Sequence, residues 1–213
     1  MSKVICVMGE SGSGKTTSFR NLNPQETFYI DADRKGLSWK GWRDQYNANN
    51  KNYKQTSDAN FIRDVLRGIS EQAPHVKIAI VDTVNTIMAD DEMRRMKEYG
   101  YDKWQDMAMC IWELISESHL LRNDLTVIFA AHTQTERDDS GIQFTRLKTN
   151  GKKLDKLTLE SKFTTVLLAK CVDGNHVFEV TANKSTAKTP MGAFTTPTIE
   201  NDMVKVLEVL ADY

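Results

Sequence analysis

The strongest chemical signal in the sequence is a glycine-rich run near its beginning, where Gly9, Gly12 and Gly14 are followed by Lys15 and Thr16. Glycines let the backbone curl until successive N–H groups point inward, which creates a nest for an anion. A lysine and a hydroxyl residue at the end of such a loop can hold nucleotide phosphates and magnesium. The run matches the P-loop pattern GxxxxGK followed by Ser or Thr, and it therefore predicts a nucleoside triphosphate site.

Most residues of this loop have an expected contact with a bound nucleotide. Lys15 would reach the β- and γ-phosphates, Thr16 would hold Mg²⁺ through its hydroxyl, and Thr17 would donate to the α-phosphate. A helix beginning near Lys15 would add the positive end of its dipole. The predicted nucleotide-binding residues are Gly9, Glu10, Ser11, Gly12, Ser13, Gly14, Lys15, Thr16 and Thr17.

A second signal is the acid that ends the apolar run at residues 77–82. At the carboxyl end of a buried strand, Asp82 would lie beside the phosphate loop and could orient a water molecule on Mg²⁺. Thr16 and Asp82 are therefore the predicted metal-binding residues. An aspartate in this position can also serve only as the N-cap of the next helix.

Missing motifs narrow the class of nucleotide-binding protein. GTPases read guanine with NKxD, and Asn183-Lys184-Ser185-Thr186 lacks the aspartate, so adenine is favoured. Transporter-type ATPases carry an LSGGQ-like signature, which this chain lacks. AAA+ enzymes and Asp-Glu helicases place a catalytic glutamate directly after the metal aspartate, whereas here Thr83 follows Asp82. The predicted cofactors are ATP and Mg²⁺.

Four apolar runs that alternate with helical segments provide the framework for these residues. The predicted strands are residues 3–8, 27–31, 77–82 and 125–131, and the alternation predicts a mostly parallel α/β sheet. Ser57 and Asp58 predict the start of a helix, and further helices are predicted over residues 86–97 and 103–122. Apolar residues predicted to face the core are Phe61, Ile62, Val65, Leu66 and Ile69 in the first helix, and Met107, Ile111, Leu114, Ile115 and Leu121 in the last.

The last third of the chain follows a different pattern. Residues 132–160 are polar and predict a long loop or a protruding hairpin, and residues 163–170 and 176–181 predict an antiparallel hairpin. Asn201-Asp202 predicts the cap of a closing helix. Its core-facing residues are predicted to be Val204, Leu207 and Leu210. We therefore expect residues 1–213 to form one three-layer α/β domain with a C-terminal antiparallel hairpin.

The composition excludes several classes of protein. Lys and Arg number 28 and Asp and Glu 29, a net charge of −1, which excludes a strongly basic nucleic-acid coat protein. Three cysteines without a CxxC pair build neither a disulfide framework nor a cysteine zinc site. No apolar run approaches membrane length, so we expect no membrane association and a cytoplasmic location.

Four places in the chain resemble the RecA-like ATPases, namely the P-loop and the strand ends at residues 29–33, 80–83 and 129–134. The chain resembles in particular the single-domain, phage-encoded members that consist of the recombinase core alone. The resemblance implies a RecA-like P-loop NTPase fold and an ATPase that couples nucleotide state to single-stranded DNA binding in recombination or annealing. It also implies a homo-oligomer, either a ring or a filament, in the host cytoplasm if a phage encodes the protein.

The resemblance also implies roles for further residues. RecA-like proteins carry a water-activating glutamate just past the second strand, where this chain has Asp33, one methylene shorter. His132 falls where the family has a polar γ-phosphate sensor, with Gln134 as the alternate. Lys184 and Lys188 fall where hexameric members present basic fingers to a neighbour's γ-phosphate, although no arginine is present there. The predicted catalytic residues are Lys15, Asp33, Asp82 and His132.

Basic residues cluster where a RecA-like protein keeps its mobile DNA loop. Residues 146–188 hold nine basic and four acidic side chains, a net charge of +5, so the remainder of the chain carries −6. The candidate DNA-binding residues are Arg146, Lys148, Lys152, Lys153 and Lys156. A solvated lysine-rich face would have the same composition, and only Phe144 and Phe163 are aromatic candidates for base stacking.

Two other functions stay open from the sequence. A small-molecule or nucleotide kinase would hold its acceptor at residues 34–55 and use residues 132–160 as a lid. Kinase lids usually present several arginines, and this region has only Arg137 and Arg146. A nucleotide-switched interaction module with negligible turnover would account for the aspartate at Asp33.

Overall fold

The computed structural model describes residues 1–100, 102–137, 140–150 and 158–213, which form an α/β fold around one large sheet. The strands are β1 (Lys3–Gly9), β2 (Thr27–Asp31), β3 (Tyr53–Gln55), β4 (Ile78–Asp82), β5 (Thr126–Ala131), β6 (Thr133–Arg137), β7 (Gln143–Leu147), β8 (Thr165–Val172), β9 (Asn175–Glu179) and β10 (Thr198–Glu200). The α-helices are α1 (Trp42–Gln45), α2 (Ala59–Gln72), α3 (Val84–Arg94), α4 (Asp102–Ser118) and α5 (Met203–Val209). Short 3₁₀ turns span Thr16–Phe19, Leu159–Lys162 and Leu210–Asp212.

The order of the strands brings the ends of several predicted strands together. Within the described residues the main sheet has eight strands in the order β10-β9-β8-β1-β5-β4-β2-β3. The six strands from β8 to β3 are mutually parallel, and β9 runs antiparallel to both β8 and β10. Thr126 of β5 pairs with Lys3 of β1 on one side and Ile78 of β4 on the other. The carboxyl ends of these three strands therefore lie at one edge.

Apolar side chains alternate between the two faces of the sheet. In β1, Val4, Cys6 and Met8 pack in the core that contains α2, α3 and α4, whereas Ile5 and Val7 pack in a second core that contains α5. A parallel sheet covered on both faces requires strands that are apolar throughout. The three-layer α/β architecture, the mostly parallel sheet and the C-terminal antiparallel hairpin are confirmed.

Helix α2 begins where the sequence predicts. The Asp58 carboxylate accepts hydrogen bonds from the backbone N–H groups of Asn60 (3.0 Å) and Phe61 (3.1 Å), which caps the helix. The prediction that Phe61 faces the core is wrong, because its side chain is 41% exposed and lies 5.2 Å from the Lys54 ammonium. The other predicted core residues of α2 are buried or partly buried, namely Ile62, Val65, Leu66 and Ile69.

The other helices depart from prediction at their ends. The chain after the phosphate loop forms only the 3₁₀ turn Thr16–Phe19, because Pro24 follows closely and the chain must return to β2. Helix α5 turns Met203 and Val206 into the core with Leu210, and leaves Val204 and Leu207 only partly buried. Residues of α4 buried as predicted are Met107, Ile111, Leu114 and Ile115. None of the helices in the described part of the chain is both long and apolar enough to cross a membrane.

The polar region after β5 contains an antiparallel hairpin of β6 and β7. The segment after β9 crosses to this hairpin, where the Thr145 N–H donates to the Lys184 carbonyl (2.8 Å) and the Thr186 N–H donates to the Thr145 carbonyl (2.9 Å). The segment then returns to the main sheet, where Val166 and Lys188 exchange backbone hydrogen bonds. The hairpin and residues 184–188 are therefore joined through their backbones.

Loss of the α2 cap should destabilise the protein. Asp58→Ala leaves two backbone N–H groups at the start of α2 without their acceptor, and we expect the free energy of unfolding to fall by about 1 kcal/mol. Asp64→Ala is the matched control, because it removes the same side chain from an exposed position of α2 where it pairs with Arg67 at 3.5 Å. An exposed pair of this kind contributes less than about 0.5 kcal/mol. Urea denaturation measures both variants, and equal losses would contradict the capping role.

Candidate functional site

Two glycines of the phosphate loop stand where no side chain fits. A Cβ atom on Gly9 would clash with the Ser13 hydroxyl and approach the Ala169 carbonyl oxygen to 2.7 Å. Gly14 has a φ of +100°, and a Cβ atom there would lie 3.0 Å from the His176 ring. The loop is thus held closely against β8 and β9, in a conformation that favours glycine.

Side chains from distant segments support this loop. His176 of β9 donates from Nδ1 to the Ser13 carbonyl at 3.1 Å. The Arg20 guanidinium donates to the carbonyls of Thr17 (3.0 Å) and Asn201 (2.9 Å), which ties the turn after the loop to the start of α5. No sequence pattern points to the contact of His176 with Ser13 or of Arg20 with Asn201, because these partners are far apart along the chain.

Lys15 is buried at the centre of the site, and the loop itself holds its ammonium. Nζ donates to the carbonyls of Gly9 (2.8 Å) and Glu10 (2.7 Å) and lies 3.4 Å from Nδ1 of His132. Burial lowers the pKa of Lys15 to about 8, although the charge of Asp82 opposes this effect. A cation stripped of water in this way would gain strongly from phosphate oxygens.

The Asp82 carboxylate at the end of β4 is buried and only partly satisfied. Its Oδ2 accepts hydrogen bonds from Thr16 Oγ1 (2.7 Å) and the Tyr29 hydroxyl (2.6 Å). Its Oδ1 is buried and has no hydrogen-bond partner among the described residues. Burial raises the pKa of Asp82, while the hydrogen bonds from Tyr29 and Thr16 act in the opposite direction. Because a buried oxygen without a partner is costly, the site suits a further group at Oδ1.

This unpaired oxygen fits a magnesium ion. The Thr16 hydroxyl and the Asp82 carboxylate are hard oxygen ligands, and Mg²⁺ commonly takes one or two ligands from a protein and the rest from water and phosphates. In the part of the chain that the structure describes, no group of three or more His, Cys, Asp or Glu residues could hold a metal ion. A metal bound by Thr16 and Asp82 would therefore take its further ligands from water and from the phosphates of a nucleotide.

Asp33 lies just past β2, and three donors hold its carboxylate. Thr83 Oγ1 donates to Oδ1 at 2.9 Å, the Thr86 hydroxyl donates to the same oxygen, and the Lys35 ammonium pairs with Oδ2. Burial raises the pKa of Asp33, but the hydrogen bonds from Lys35, Thr86 and Thr83 outweigh it and leave the pKa below its usual value. The Asp33 N–H approaches the Asp82 carbonyl at 3.4 Å, so the two acids are neighbours.

His132 follows β5, faces Lys15 and is tied to the β6–β7 hairpin. Its backbone N–H donates to Oδ1 of Asn85 (2.6 Å), and Nδ2 of Asn85 donates to the Lys148 carbonyl (2.8 Å). The Lys148 N–H donates back to the His132 carbonyl at 2.8 Å. Burial lowers the pKa of His132 and the charge of Lys15 lowers it further, which favours the neutral form of the ring. A neutral Nδ1 can accept a hydrogen bond from Lys15.

The predicted residues divide into a cluster and a set that lies away from it. Lys15, Asp33, Asp82 and His132 meet at the carboxyl edge of the parallel strands, where α/β sheets bind their ligands. The metal candidate Thr16 contacts this cluster through Asp82. Thr17 lies beside it, and its hydroxyl is 3.0 Å from that of Ser38. Functional candidates that the sequence reasoning missed are Tyr29, Lys35, Asn85 and His176.

The remaining candidates do not join the cluster. The Gln134 amide donates to Glu136 at 2.6 Å on its own strand, and no described contact links it to Lys15. Arg146 is 7% exposed and pairs with Glu136 (3.2 Å) and Glu160 (3.4 Å), so its guanidinium is not presented to DNA as the sequence suggested. Exposed candidates are Lys148, Lys184 and Lys188. Candidates outside the described residues are Lys152, Lys153 and Lys156.

Comparison with known families identifies the class of this site. A family model described as an AAA domain (AAA_24) matches residues 1–191, which includes the phosphate loop, both acids and His132. The chain belongs to this AAA domain family. The chain is thus a P-loop NTPase of the ATPase type. It departs from the pattern in which a glutamate directly follows the metal-binding aspartate, because Thr83 follows Asp82. The second acid beside Asp82 is Asp33, which comes from a different strand end.

One solved structure similar to the AAA domain is the P4 protein from bacteriophage phi6 in complex with ADP. The two share 14% sequence identity with a TM-score of 0.41, and the match covers 84% of this chain. The chain spans 55% of the length of that P4 chain. No curated protein matches this chain in sequence.

The buried Lys15 predicts a pH dependence of stability in the nucleotide-free protein. Its pKa is about 8 when folded and 10.5 in its ordinary state, so the unfolded chain binds this proton more tightly. Stability therefore rises with pH through this window, and between pH 7.5 and 9.5 we expect the wild type to gain up to about 2 kcal/mol relative to Lys15→Met.

Urea denaturation at several pH values measures this gain. Lys40→Met, which removes an exposed lysine, is the control and should follow the wild type. If the difference between wild type and Lys15→Met stays constant across the window, the assigned burial effect on Lys15 is incorrect.

Proposed function

We propose that this protein is a RecA-like ATPase that binds ATP and Mg²⁺ and hydrolyses ATP. Its nucleotide state would control single-stranded DNA binding in recombination or annealing of the phage type. The observation that supports this most directly is the convergence of Lys15, Asp33, Asp82 and His132 at one edge of the sheet. A γ-phosphate at Lys15 would meet a cation, a metal-binding acid, a base and a sensor together.

Hydrolysis would proceed by in-line attack of water on the γ-phosphorus. The water oxygen bonds to phosphorus, Asp33 takes the water proton, and ADP leaves with the electron pair of the broken bond. Lys15 would stabilise charge on the phosphate oxygens, and His132 would sense the γ-phosphate through Lys15. Mg²⁺ bound at Thr16 and Asp82 would neutralise part of the phosphate charge. Backbone N–H groups of residues 9–17 would hold the other phosphates.

Asn85 provides a physical link from this site to the β6–β7 hairpin. Its side-chain amide accepts from the His132 N–H (2.6 Å) and donates to the Lys148 carbonyl (2.8 Å), so it joins the end of β5 to the chain that follows β7. Movement of His132 toward a γ-phosphate would therefore pull on both ends of the hairpin. This linkage supports the proposal that nucleotide state alters the DNA-binding surface.

A basic groove beside the hairpin supports the proposed binding of single-stranded DNA. The groove has a volume of about 930 Å³, and its described lining includes Arg137, Lys170 and Lys184 but no acidic residue. Phe144 adds an aromatic side chain on which a base could stack, and Lys170 is partly neutralised by Glu179 at 2.5 Å. Cations along a groove together with an aromatic face suit a single strand without sequence preference.

The other candidate DNA-binding residues differ in their exposure and in whether the structure describes them. Lys148 is exposed and lies at the hairpin base, so it could contact a strand that leaves the groove. Lys152, Lys153 and Lys156 follow it along the chain and stay candidates on sequence alone. Arg146 is left out because it is buried in ion pairs.

We also propose that the protein acts as a single domain over residues 1–213 and assembles into a ring or filament in the cytoplasm. Lys188 exchanges backbone hydrogen bonds with Val166, which pairs with Cys6, three residues before Gly9. The start of the phosphate loop thus lies three residues along the sheet and two strands across from Lys188, which places it about 14 Å from the Lys188 backbone in the same chain. Lys184 and Lys188 are both exposed. We therefore propose that they reach the γ-phosphate site of a neighbouring copy rather than the site of their own chain.

ATP binding and turnover test the central proposal. Lys15→Met should reduce the affinity for a non-hydrolysable ATP analogue at least tenfold, because it removes the cation that faces the β- and γ-phosphates. Lys40→Met, an exposed lysine exchanged in the same way, should bind like the wild type. Calorimetric titration measures both affinities. If the wild type binds no ATP, or Lys15→Met binds as the wild type does, the proposal fails.

The ATPase rate separates this function from its rivals. Stimulation by single-stranded DNA supports the proposal, whereas ADP release that depends on an added phosphate acceptor indicates a kinase. A near-zero rate with intact ATP binding indicates a nucleotide-switched interaction module. Three donors already occupy the Asp33 carboxylate, which makes it a poor base, and this observation favours the interaction module.

DNA affinity as a function of salt tests the groove. Arg137→Gln should weaken oligo(dT) binding and reduce the slope of log affinity against log salt by about 0.7, the value for one lost single-strand phosphate contact. Phe144→Leu should lower the affinity and leave the slope unchanged, because only stacking is lost. Lys77→Gln is the control, because Lys77 lies just before β4, at the opposite end of that strand from Asp82. Unchanged binding by both groove variants would place the DNA elsewhere.

A further inference from the structure

A lysine that the proposed chemistry does not use lies at the same edge of the sheet. Lys35 follows Asp33 by two residues, and its ammonium pairs with Asp33 Oδ2. The Lys35 side chain is 57% exposed, whereas that of Asp33 is only 10% exposed. The pair therefore joins a buried acid to a cation that solvent can reach, directly beside the site.

The backbone that carries Lys35 is anchored on both sides. The Gly36 N–H donates to Asp31 Oδ2 at 2.9 Å, and Arg34 Nη2 donates to the Ser57 hydroxyl at 3.0 Å. Asp31 is 2% exposed and also accepts from the Tyr53 hydroxyl at 2.6 Å. These contacts restrain the turn, so a change of partner by Lys35 would involve its long, exposed side chain rather than its backbone.

The charge of Lys35 reaches the groups that would surround a γ-phosphate. Burial is the largest influence on the pKa of Lys15 and of His132, and the Lys35 charge adds to the lowering of both. Burial raises the pKa of Asp82, and the Lys35 charge opposes it. A doubly charged phosphate placed among these three residues would therefore attract the Lys35 ammonium.

Asp33 is also poorly suited to accept a proton while this pair is intact. Its Oδ1 already accepts from Thr83 and Thr86, and Lys35 covers Oδ2. The two threonines lie at the start of α3 and hold the carboxylate in place. Lys35 is thus the only one of the three donors on a long, largely exposed side chain, and its departure would free an oxygen that stays correctly oriented.

We propose that Lys35 exchanges Asp33 for the γ-phosphate when ATP binds, so that one side-chain movement holds the γ-phosphate and uncovers Asp33 Oδ2 for the attacking water. This inference rests on the proposed ATPase function. Lys35 transfers no proton and forms no covalent bond in this step. ADP has no γ-phosphate, so with ADP the lysine stays on Asp33 and the base stays covered.

A double-mutant cycle on the nucleotide affinities tests this exchange. In Lys35→Met the affinity for a non-hydrolysable ATP analogue should fall about tenfold, the effect of one charge-assisted hydrogen bond, while the affinity for ADP stays within about twofold. In Asp33→Asn the analogue should bind several-fold more tightly, since Lys35 no longer has to leave a carboxylate. The double variant should lose that gain and resemble Lys35→Met.

The controls separate the exchange from a merely structural ion pair. Lys40→Met removes an exposed lysine nearby in sequence and should leave the ratio of ATP-analogue to ADP affinity unchanged. A structural pair would alter both affinities equally, or neither, and Asp33→Asn would not tighten analogue binding. Either result overturns the inference. Lys35→Gln provides a second neutral variant, and thermal denaturation checks that each variant is folded.

The outcome is also distinct from failure of the proposed function. If the wild type does not bind the analogue, or Lys15→Met has no effect, both the function and the exchange are rejected. If the wild type and Lys15→Met behave as expected while Lys35→Met keeps the wild-type affinity ratio, only the exchange is rejected.

Discussion

The pairing of β5 with both β1 and β4 is the constraint on which the rest of the site depends. Parallel neighbours lie about 4.8 Å apart, so strand order decides which loops can meet. With β5 in the centre, His132 stands between the phosphate loop that follows β1 and Asp82 at the end of β4. The next strand, β2, brings Asp33 to the other side of Asp82. Four strand ends thus supply a cation, a histidine and two acids at one edge.

These charged groups are held away from water, and each is only partly compensated. Lys15 rests on two carbonyls, Asp82 accepts from Tyr29 and Thr16, and Asp33 is covered by Lys35 and two threonines. Isolated buried charges are expensive, and residual mismatch at Lys15 and at Asp82 Oδ1 favours a ligand that carries both negative phosphates and a metal ion. The same desolvation that destabilises these charges would therefore strengthen the binding of such a ligand.

The hairpin and the crossing segment depend on a second buried acid. Glu160 is 2% exposed and accepts from the Leu147 N–H (2.8 Å) and the Thr186 hydroxyl (3.2 Å), while it pairs with Arg146. It thus joins the end of β7 to residues 184–188, and Asn85 joins the same hairpin to His132. Glu160 and Asn85 therefore connect the proposed DNA groove and the proposed finger residues to each other and to the nucleotide site.

The sequence by itself determined the phosphate loop, the strand ends that carry Asp33, Asp82 and His132, and the α/β class. Each of these follows from local spacing, because a phosphate nest needs consecutive residues and a buried strand needs an apolar run. Only the tertiary structure decided which charges are exposed and what they contact. Arg146 was expected at a surface and is buried, Phe61 was expected in the core and is exposed, and the Lys35 ion pair was not anticipated. His176 likewise reaches Ser13 across 163 residues. Partners of polar side chains depend on how distant segments pack, and no local pattern records that packing.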